Sequence, residues 1–415
     1  MTHKVAYIMS RFPHLPETFI LREMEALENL GWEISLYPLI LQKQQVVHTE
    51  ARKWISRAHN LPFISVQIIK ENFSRFFKSP RKYLELLFRS IWENRTSLKF
   101  LSRAVILFPK AVYAARLMDD EGIEHIHAHY ATHPAFVAWI IYNLSGIGYT
   151  ITVHAHDIFV ERTMLKTKIN DAINVRAISM FNRNFLSNLY GHSLNHKIQV
   201  IHCGIDPANF KLRVNGFNPS DEFNVLSIGS LEPYKGFPYL IEACAILRDR
   251  GVPVHCNIIG GGKERTDLEM LIKKHELRNV VNLLGPLPQD EVAQILPSAD
   301  CYVQPSIITS EGKMEGIPVA LMEALACGLP TVTTSISGIP EIVIPDNTGY
   351  LVPPANATKL ADALEQVYSN YSYAKALGKA GRELVLKEYN LKSNTVHLTD
   401  LFEKALAMDK LKIDR

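Results

Sequence analysis

The sequence predicts an α/β protein built as two successive Rossmann-like units with parallel sheets. Three observations carry that expectation. Short apolar, β-branched runs alternate with longer helical patterns, the signature of a parallel sheet covered on both faces. The series starts afresh after a polar segment containing Asn, Gly, Pro and Ser, Val214–Glu222. At 415 residues the chain has material for two cores.

In the first series Val5–Ser10 is a strand. Glu17–Leu30 reads as a helix, with Phe19, Ile20, Met24 and Leu27 at helical spacing and an exit at Gly31. Ile34–Leu39, His125–His129, Ile151–His154, Ala177–Met180 and Ile198–His202 follow as strands. The second series has strands at Asn224–Gly229, His255–Gly260, Val280–Gly285, Cys301–Gln304 and Thr331–Thr334, with a first helix from about Gly236 to Arg250. The expected domains are residues 1–205 and 206–391.

Composition is that of an ordinary globular chain, 47% hydrophobic and 21% charged. A net charge of +3 gives no reason to expect nucleic acid. The charge is unevenly spread. Residues 1–205 hold 24 Lys and Arg against 16 Asp and Glu, so the basic surplus lies in the first half. Lys70–Lys110 alone carries ten basic and three acidic residues, interleaved with Phe73, Phe76, Phe77, Tyr83, Phe88, Trp92 and Phe100. Such a stretch suits peripheral contact with an anionic membrane; equally, it suits a helix pair that buries its aromatics and solvates its charges. The five cysteines lack paired metal-type spacing and read as buried, reduced thiols. With no secretory pattern at the N-terminus and an apolar run, Ala135–Leu144, about half the length of a membrane span, the expected location is cytoplasmic.

The chemistry-bearing stretch is Glu315–Val343, where two carboxylates, Glu315 and Glu323, are separated by seven residues. Pro318 favours a helix start, which leaves Glu315 in the loop and Glu323 inside the helix. Free amides at a helix start attract phosphate, and a deeper carboxylate can accept from a ribose diol. The combination suits a sugar nucleotide.

With the flanking Pro305-Ser306, the ALACGLP continuation and the later SGIPE, this segment resembles the Glu-x7-Glu signature of glycosyltransferase family 4, retaining enzymes of GT-B fold. The opening SRFPHLPETFILREMEAL resembles the polysaccharide-type members, of the exopolysaccharide and colanic-acid kind. The resemblance implies two Rossmann-like domains facing across a cleft, with Lys392–Met408, in the terminal stretch 392–415, crossing back to the first domain. It implies retaining transfer of a sugar from a nucleotide-sugar donor, UDP- in preference to GDP-, to a glycan or lipid-linked acceptor, with no metal or other cofactor.

The resemblance also assigns residues. Lys235, in SIGSLEPYKGFPYLIEA, would neutralise the departing diphosphate. The family's arginine position holds Ser230, which brings no charge. Gly261 lies in the glycine turn beside the nucleotide, and Leu284 in the segment whose backbone meets the base. Glu315 would hold sugar hydroxyls, Glu323 the ribose, and Gly316, Ile317, Pro318, Val319 and Ala320 the phosphate-facing helix start. His154 would stand at the sugar ring, and with Glu315 it forms the catalytic pair. Arg11, Glu17, Thr18, His129 and Asp157 fall on the acceptor side.

His127 and His129, like His154 and His156, alternate along predicted strands and so share a face in pairs. Two His-x-His pairs could ligate zinc; GT-B enzymes generally need no bound metal, so none is expected. His125 reads as a satisfied core residue. Competing readings are a hydrolysing sugar-nucleotide epimerase of the same architecture and a degenerate member that only binds sugar nucleotide.

Overall fold

The computed structural model describes residues 3–13, 18–42, 49–213 and 222–413. The chain divides into two compact units: 1–178 with 182–201 and 395–415, and 179–181 with 202–394.

Among the described residues the first unit holds six strands: β1 (Lys4–Met9), β2 (Glu33–Pro38), β3 (His125–His129), β4 (Tyr149–Val153), β5 (Asn174–Ala177) and β6 (Ile198–Val200). All pair in parallel, in the order β2-β1-β3-β4-β5-β6. The second holds β7 (Phe223–Ile228), β8 (Val254–Ile259), β9 (Val281–Gly285), β10 (Cys301–Gln304), β11 (Thr331–Thr334) and β12 (Tyr350–Val352). These too are parallel, in the order β12-β11-β10-β7-β8-β9. The strand order reverses once in each sheet, between β1 and β3 and between β7 and β10. In open parallel sheets ligands bind beyond the carboxyl ends of the strands at such a reversal.

Most strands fall within two residues of their expected places, and two departures have physical causes. The strand expected at Ala177–Met180 runs three residues earlier, as β5. Apolar patterning missed it because Asn174 and Arg176 are polar, yet both are buried there. Arg176 is tolerated because its guanidinium is bonded to Glu23. β4 ends at Val153, and His156 opens a four-residue helix, His156–Phe159. His154 and His156 therefore do not share a strand face, and the His156 side chain is half exposed beside Glu161, 3.6 Å away.

Period-two alternation sorts the second core. Phe223 and Val225 of β7 pack on one side with Leu240, Cys244 and Ile258, while Leu226 packs on the other with Ile259, Tyr302 and Leu321. Cys203 is partly buried and the other four cysteines fully so, and none of the five is in a disulfide. In the first unit, Tyr7, Ile20, Met24, Trp32 and Leu36 pack with Leu398, Leu401 and Phe402 of the last helix, Leu391–Ile413. The Phe402 ring lies 5.5 Å from Trp32 and 4.9 Å from His127, centroid to centroid.

The basic, aromatic segment forms three helices, Val66–Lys78, Pro80–Asn94 and Leu98–Glu121. Ser65 and Ser97 cap two of them, accepting from the amides of Ile68 and Phe100, and Gly122 closes the third in the left-handed conformation. Phe100 and Phe108 are buried, but Phe73, Phe77, Phe88 and Trp92 remain exposed. Among the described residues no helix is long and apolar enough to cross a membrane.

Phe402 is fully buried, so Phe402→Ala is expected to cost about 3–5 kcal/mol. A thermal melt of the full chain reads this directly; an unchanged midpoint would remove the last helix from the core.

Candidate active site

At the β7/β10 reversal the chain turns tightly. After β7, Gly229-Ser230-Leu231 leads through the turn Pro233–Lys235 into the helix Phe237–Asp249. Gly236 has φ +69°, and a Cβ there would stand 2.0 Å from the Pro305 carbonyl oxygen, so only glycine fits. Gly260, at the end of β8, is equally constrained: its Cβ would lie 1.8 Å from the Gly229 oxygen. A Cβ on Gly229 would meet the Lys235 stem at 3.0–3.2 Å, which shows the lysine folded back over β7's end.

Lys235 is buried, and its ammonium is bonded to Oε1 of Glu315. The other oxygen of Glu315 accepts from Gln304 Nε2 at 3.0 Å and from the Ser306 hydroxyl. Side chains at the end of β10 and just past it thus aim the carboxylate. The helix Val319–Ala326 starts one residue after Pro318, and no side chain caps it among the described residues. Glu323 lies inside that helix, 3% exposed, and accepts from Gln289 Nε2 at 2.7 Å. Ser230 is hydrogen bonded to the Tyr234 hydroxyl at 3.3 Å, and Lys313 lies over the Tyr234 ring at 4.4 Å. Gly261 is half-buried and bonds through its carbonyl to the Leu231 amide; Leu284 is exposed.

In the first unit, His154 follows β4 directly. Its amide donates to Asp157 at 3.0 Å, and the same carboxylate accepts from the Ala131 amide at 2.8 Å, joining the turns that follow β3 and β4. Burial pushes the Asp157 carboxyl up to about 6, against those amide bonds. Asn182 donates to the His154 carbonyl. The imidazole lies 4.5 Å from the Tyr130 ring and 5.2 Å from Phe19. Its Nε2 is 3.4 Å from Nδ1 of His129, whose Nε2 is 3.0 Å from Glu23. Glu23 is bonded to Arg176 and accepts from the Tyr7 hydroxyl at 2.9 Å. Burial alone would raise the Glu23 carboxyl, but Arg176 and His129 hold it well below the usual range. Burial pushes His154 well below the ordinary imidazole value, so it is neutral at pH 7.

The structure places the expected acceptor-side residues unevenly. Arg11 is exposed just after β1. Thr18 opens the helix Thr18–Asn29, and Glu17 lies outside the described residues. His129 and Asp157 are fully buried, so both support His154 and its turn from beneath instead of facing solvent. His125 is satisfied core, hydrogen bonded to Thr150 at 2.9 Å.

Glu23, His127 and His129 bring ligand atoms within 4.8 Å of one another. Each already has protein partners. His127 is bonded to Thr150 and Thr152, and Glu23 to Arg176 and Tyr7. The donor set is spent on hydrogen bonds, with a guanidinium beside it, which does not suit a divalent cation.

Sequence reasoning missed Glu23, Arg176, Gln289 and Gln304. Glu23 left a legible trace: with Ile20, Met24 and Leu27 it lies on the apolar face of an amphipathic helix. A carboxylate there needs a buried partner.

A profile described as Glycosyltransferase Family 4 matches residues 17–209, and one described as Glycosyl transferases group 1 matches residues 209–384. WcaL of Escherichia coli K12, named for colanic acid biosynthesis, is 30% identical over 376 residues, covering 87% of this chain and 89% of that protein. The chain is a family 4 glycosyltransferase. This glycosyltransferase is also 35% identical, over 225 residues, to AmsK, an amylovoran biosynthesis glycosyltransferase of Erwinia amylovora; that match covers 53% of this chain and 55% of AmsK. Its GT-B fold matches the crystal structure of Anabaena HepE in complex with UDP, with a TM-score of 0.72 at 15% identity over 97% of this chain and 100% of HepE.

The buried imidazoles set a pH dependence for this glycosyltransferase. Burial depresses His125 to about 3 and holds His127 and His154 well below their ordinary value. Unfolded histidines bind protons below about 6.5, so the unfolded state gains protons first and stability falls on acidification. Each withheld proton costs about 1.4 kcal/mol per pH unit. Asp157, raised to about 6, opposes this as a single group. The melting midpoint is therefore expected to be lower at pH 5.5 than at pH 7.5; an equal or higher midpoint would contradict three buried neutral imidazoles.

Proposed function

We propose that this enzyme transfers a sugar, with retention, from a nucleoside-diphosphate sugar, UDP- in preference to GDP-, to a glycan or lipid-linked acceptor in polysaccharide assembly. The Lys235–Glu315 ion pair at the β7/β10 reversal carries the reading. Cleavage of the anomeric C–O bond leaves an oxocarbenium-like sugar and a diphosphate that gains negative charge. Lys235 neutralises that charge, and the amides of Gly316, Ile317, Val319 and Ala320 share it. As Lys235 turns to phosphate, Glu315 is released to accept from sugar hydroxyls, still aimed by Gln304 and Ser306. Glu323 takes the ribose diol, and His154 a hydroxyl of the transferred sugar. Ser230 adds no charge to the diphosphate; Lys313, over Tyr234, is the basic residue assigned to that task. No metal is required, because lysine and amides supply the positive field. The acceptor is deprotonated with help from the donor phosphate, on the face from which the diphosphate leaves. WcaL and AmsK support a polysaccharide pathway by name, and HepE supports UDP.

The same proposal includes peripheral contact with anionic membrane. Phe73 stacks with Phe77 at 6.3 Å and Phe88 with Trp92 at 6.0 Å; all four are more than half exposed on a segment rich in Lys and Arg. Exposed aromatics beside clustered basic charge suit the headgroup region of an anionic bilayer.

Two measurements check these readings. Purified protein incubated with UDP-, GDP- and ADP-sugars in EDTA is expected to release nucleoside diphosphate from one UDP-sugar. Lys235→Met is expected to lower kcat/KM by about 10²–10³-fold, as loss of one preorganised charge does. Silence toward every donor, in turnover and in thermal shift alike, would withdraw the assignment. In vesicle sedimentation, binding to phosphatidylglycerol-containing liposomes is expected to weaken with salt and to be lost in Phe77→Asp/Trp92→Asp. Retention by that variant would place membrane contact elsewhere.

A further inference from the structure

We propose that Glu23 and His129 are positioning residues that fix the tautomer of His154, leaving its outer nitrogen, Nδ1, as a bare hydrogen-bond acceptor for a hydroxyl of the bound sugar. The inference rests on the role given to His154 above. It follows from an ordered chain of bonds. Glu23 is bonded to the Arg176 guanidinium and accepts from Tyr7, so it is an ionised carboxylate and can only accept. The contact with His129 at 3.0 Å then requires Nε2–H on His129. With His129 neutral, as the relay requires, its one N–H is on Nε2 and its Nδ1 carries a lone pair. The 3.4 Å contact from that atom to His154 Nε2 therefore requires the proton on His154 Nε2. The remaining nitrogen of His154, Nδ1, makes no hydrogen bond among the described residues, although the residue is only 7% exposed.

The surroundings hold this polarity in place. Asp157 accepts from the His154 amide and Asn182 donates to its carbonyl, so the backbone that carries the ring is held at both ends. Tyr130 and Phe19 flank the ring. His127, whose ring lies 4.9 Å from that of His129, is occupied by Thr150 and Thr152 and does not compete for the His129 protons. The direction of every bond is thus set by one charge, the carboxylate of Glu23, some two side chains away from the acceptor nitrogen. An acceptor poised in this way favours sugars that present a hydroxyl and rejects analogues that lack it, because its lone pair would be left buried and unmatched.

The test is imidazole nitrogen NMR on full-length protein labelled with 15N-histidine, with His154→Gln used to assign the signals, run alongside donor kinetics. In the wild type His154 is expected as the Nε2–H tautomer. Glu23→Gln supplies an amide that donates to His129, which reverses the chain; His154 is then expected as the Nδ1–H tautomer, with kcat lowered about tenfold or more. Because Glu23→Gln leaves Arg176 without its charge partner, Glu23→Gln/Arg176→Met is measured beside it, with a thermal melt of each. A wild-type Nδ1–H tautomer, or a His154 tautomer unmoved in both variants, would overturn the relay. The expected tautomers with no turnover of any donor would uphold the relay and overturn the role of His154 in sugar transfer.

Discussion

A charge buried at the end of a parallel sheet must be matched, and that requirement organises both units. An unpaired ion there would cost several kcal/mol. In the second unit the match is Lys235 with Glu315; in the first it is Arg176 with Glu23. Neither pair adds much net stability, since desolvation offsets the attraction. What each gives is direction. Glu315 is aimed by Gln304 and Ser306, and Glu23 orders the protons of two imidazoles. In the proposed reaction the first pair is broken by the incoming diphosphate, whereas the second is sealed beneath rings and stays intact.

The fold was largely legible, because strands buried on both faces leave apolar runs that read the same in any context. β3, β10 and β11 fall where the pattern puts them. β5 did not, because Arg176 sits in its middle and becomes acceptable through the Ile201 carbonyl and through Glu23, 153 residues away in sequence. Such a partnership is tertiary and leaves no local mark. The sequence motif led to Lys235, Glu315 and Glu323, but motif reading assigns roles one residue at a time. It therefore gave His129 a place facing a ligand, whereas packing puts it behind His154. It also passed over Gln304 and Gln289, amides whose only signal is the carboxylate each one holds.

Ser230 shows how a missing charge changes a neighbourhood. Its hydroxyl meets Tyr234, and the Tyr234 ring in turn carries Lys313 on its face. Lys263 and Lys313 lie 3.1 and 3.9 Å from Glu232, so positive charge is present close by but tethered. An ammonium held this way meets phosphate as a point charge, without the planar fork of a guanidinium.

The glycines at 236 and 260 limit how this enzyme can change. Each lets two backbone segments approach to a distance that no side chain survives, and each such approach lies beside the lysine of the site. Variation there is closed to evolution and to the protein engineer alike. The exposed Leu284 and the partly exposed Lys313 carry no such constraint. In this chain, substitutions that alter donor choice are therefore open at the rim and closed at the glycine-lined floor.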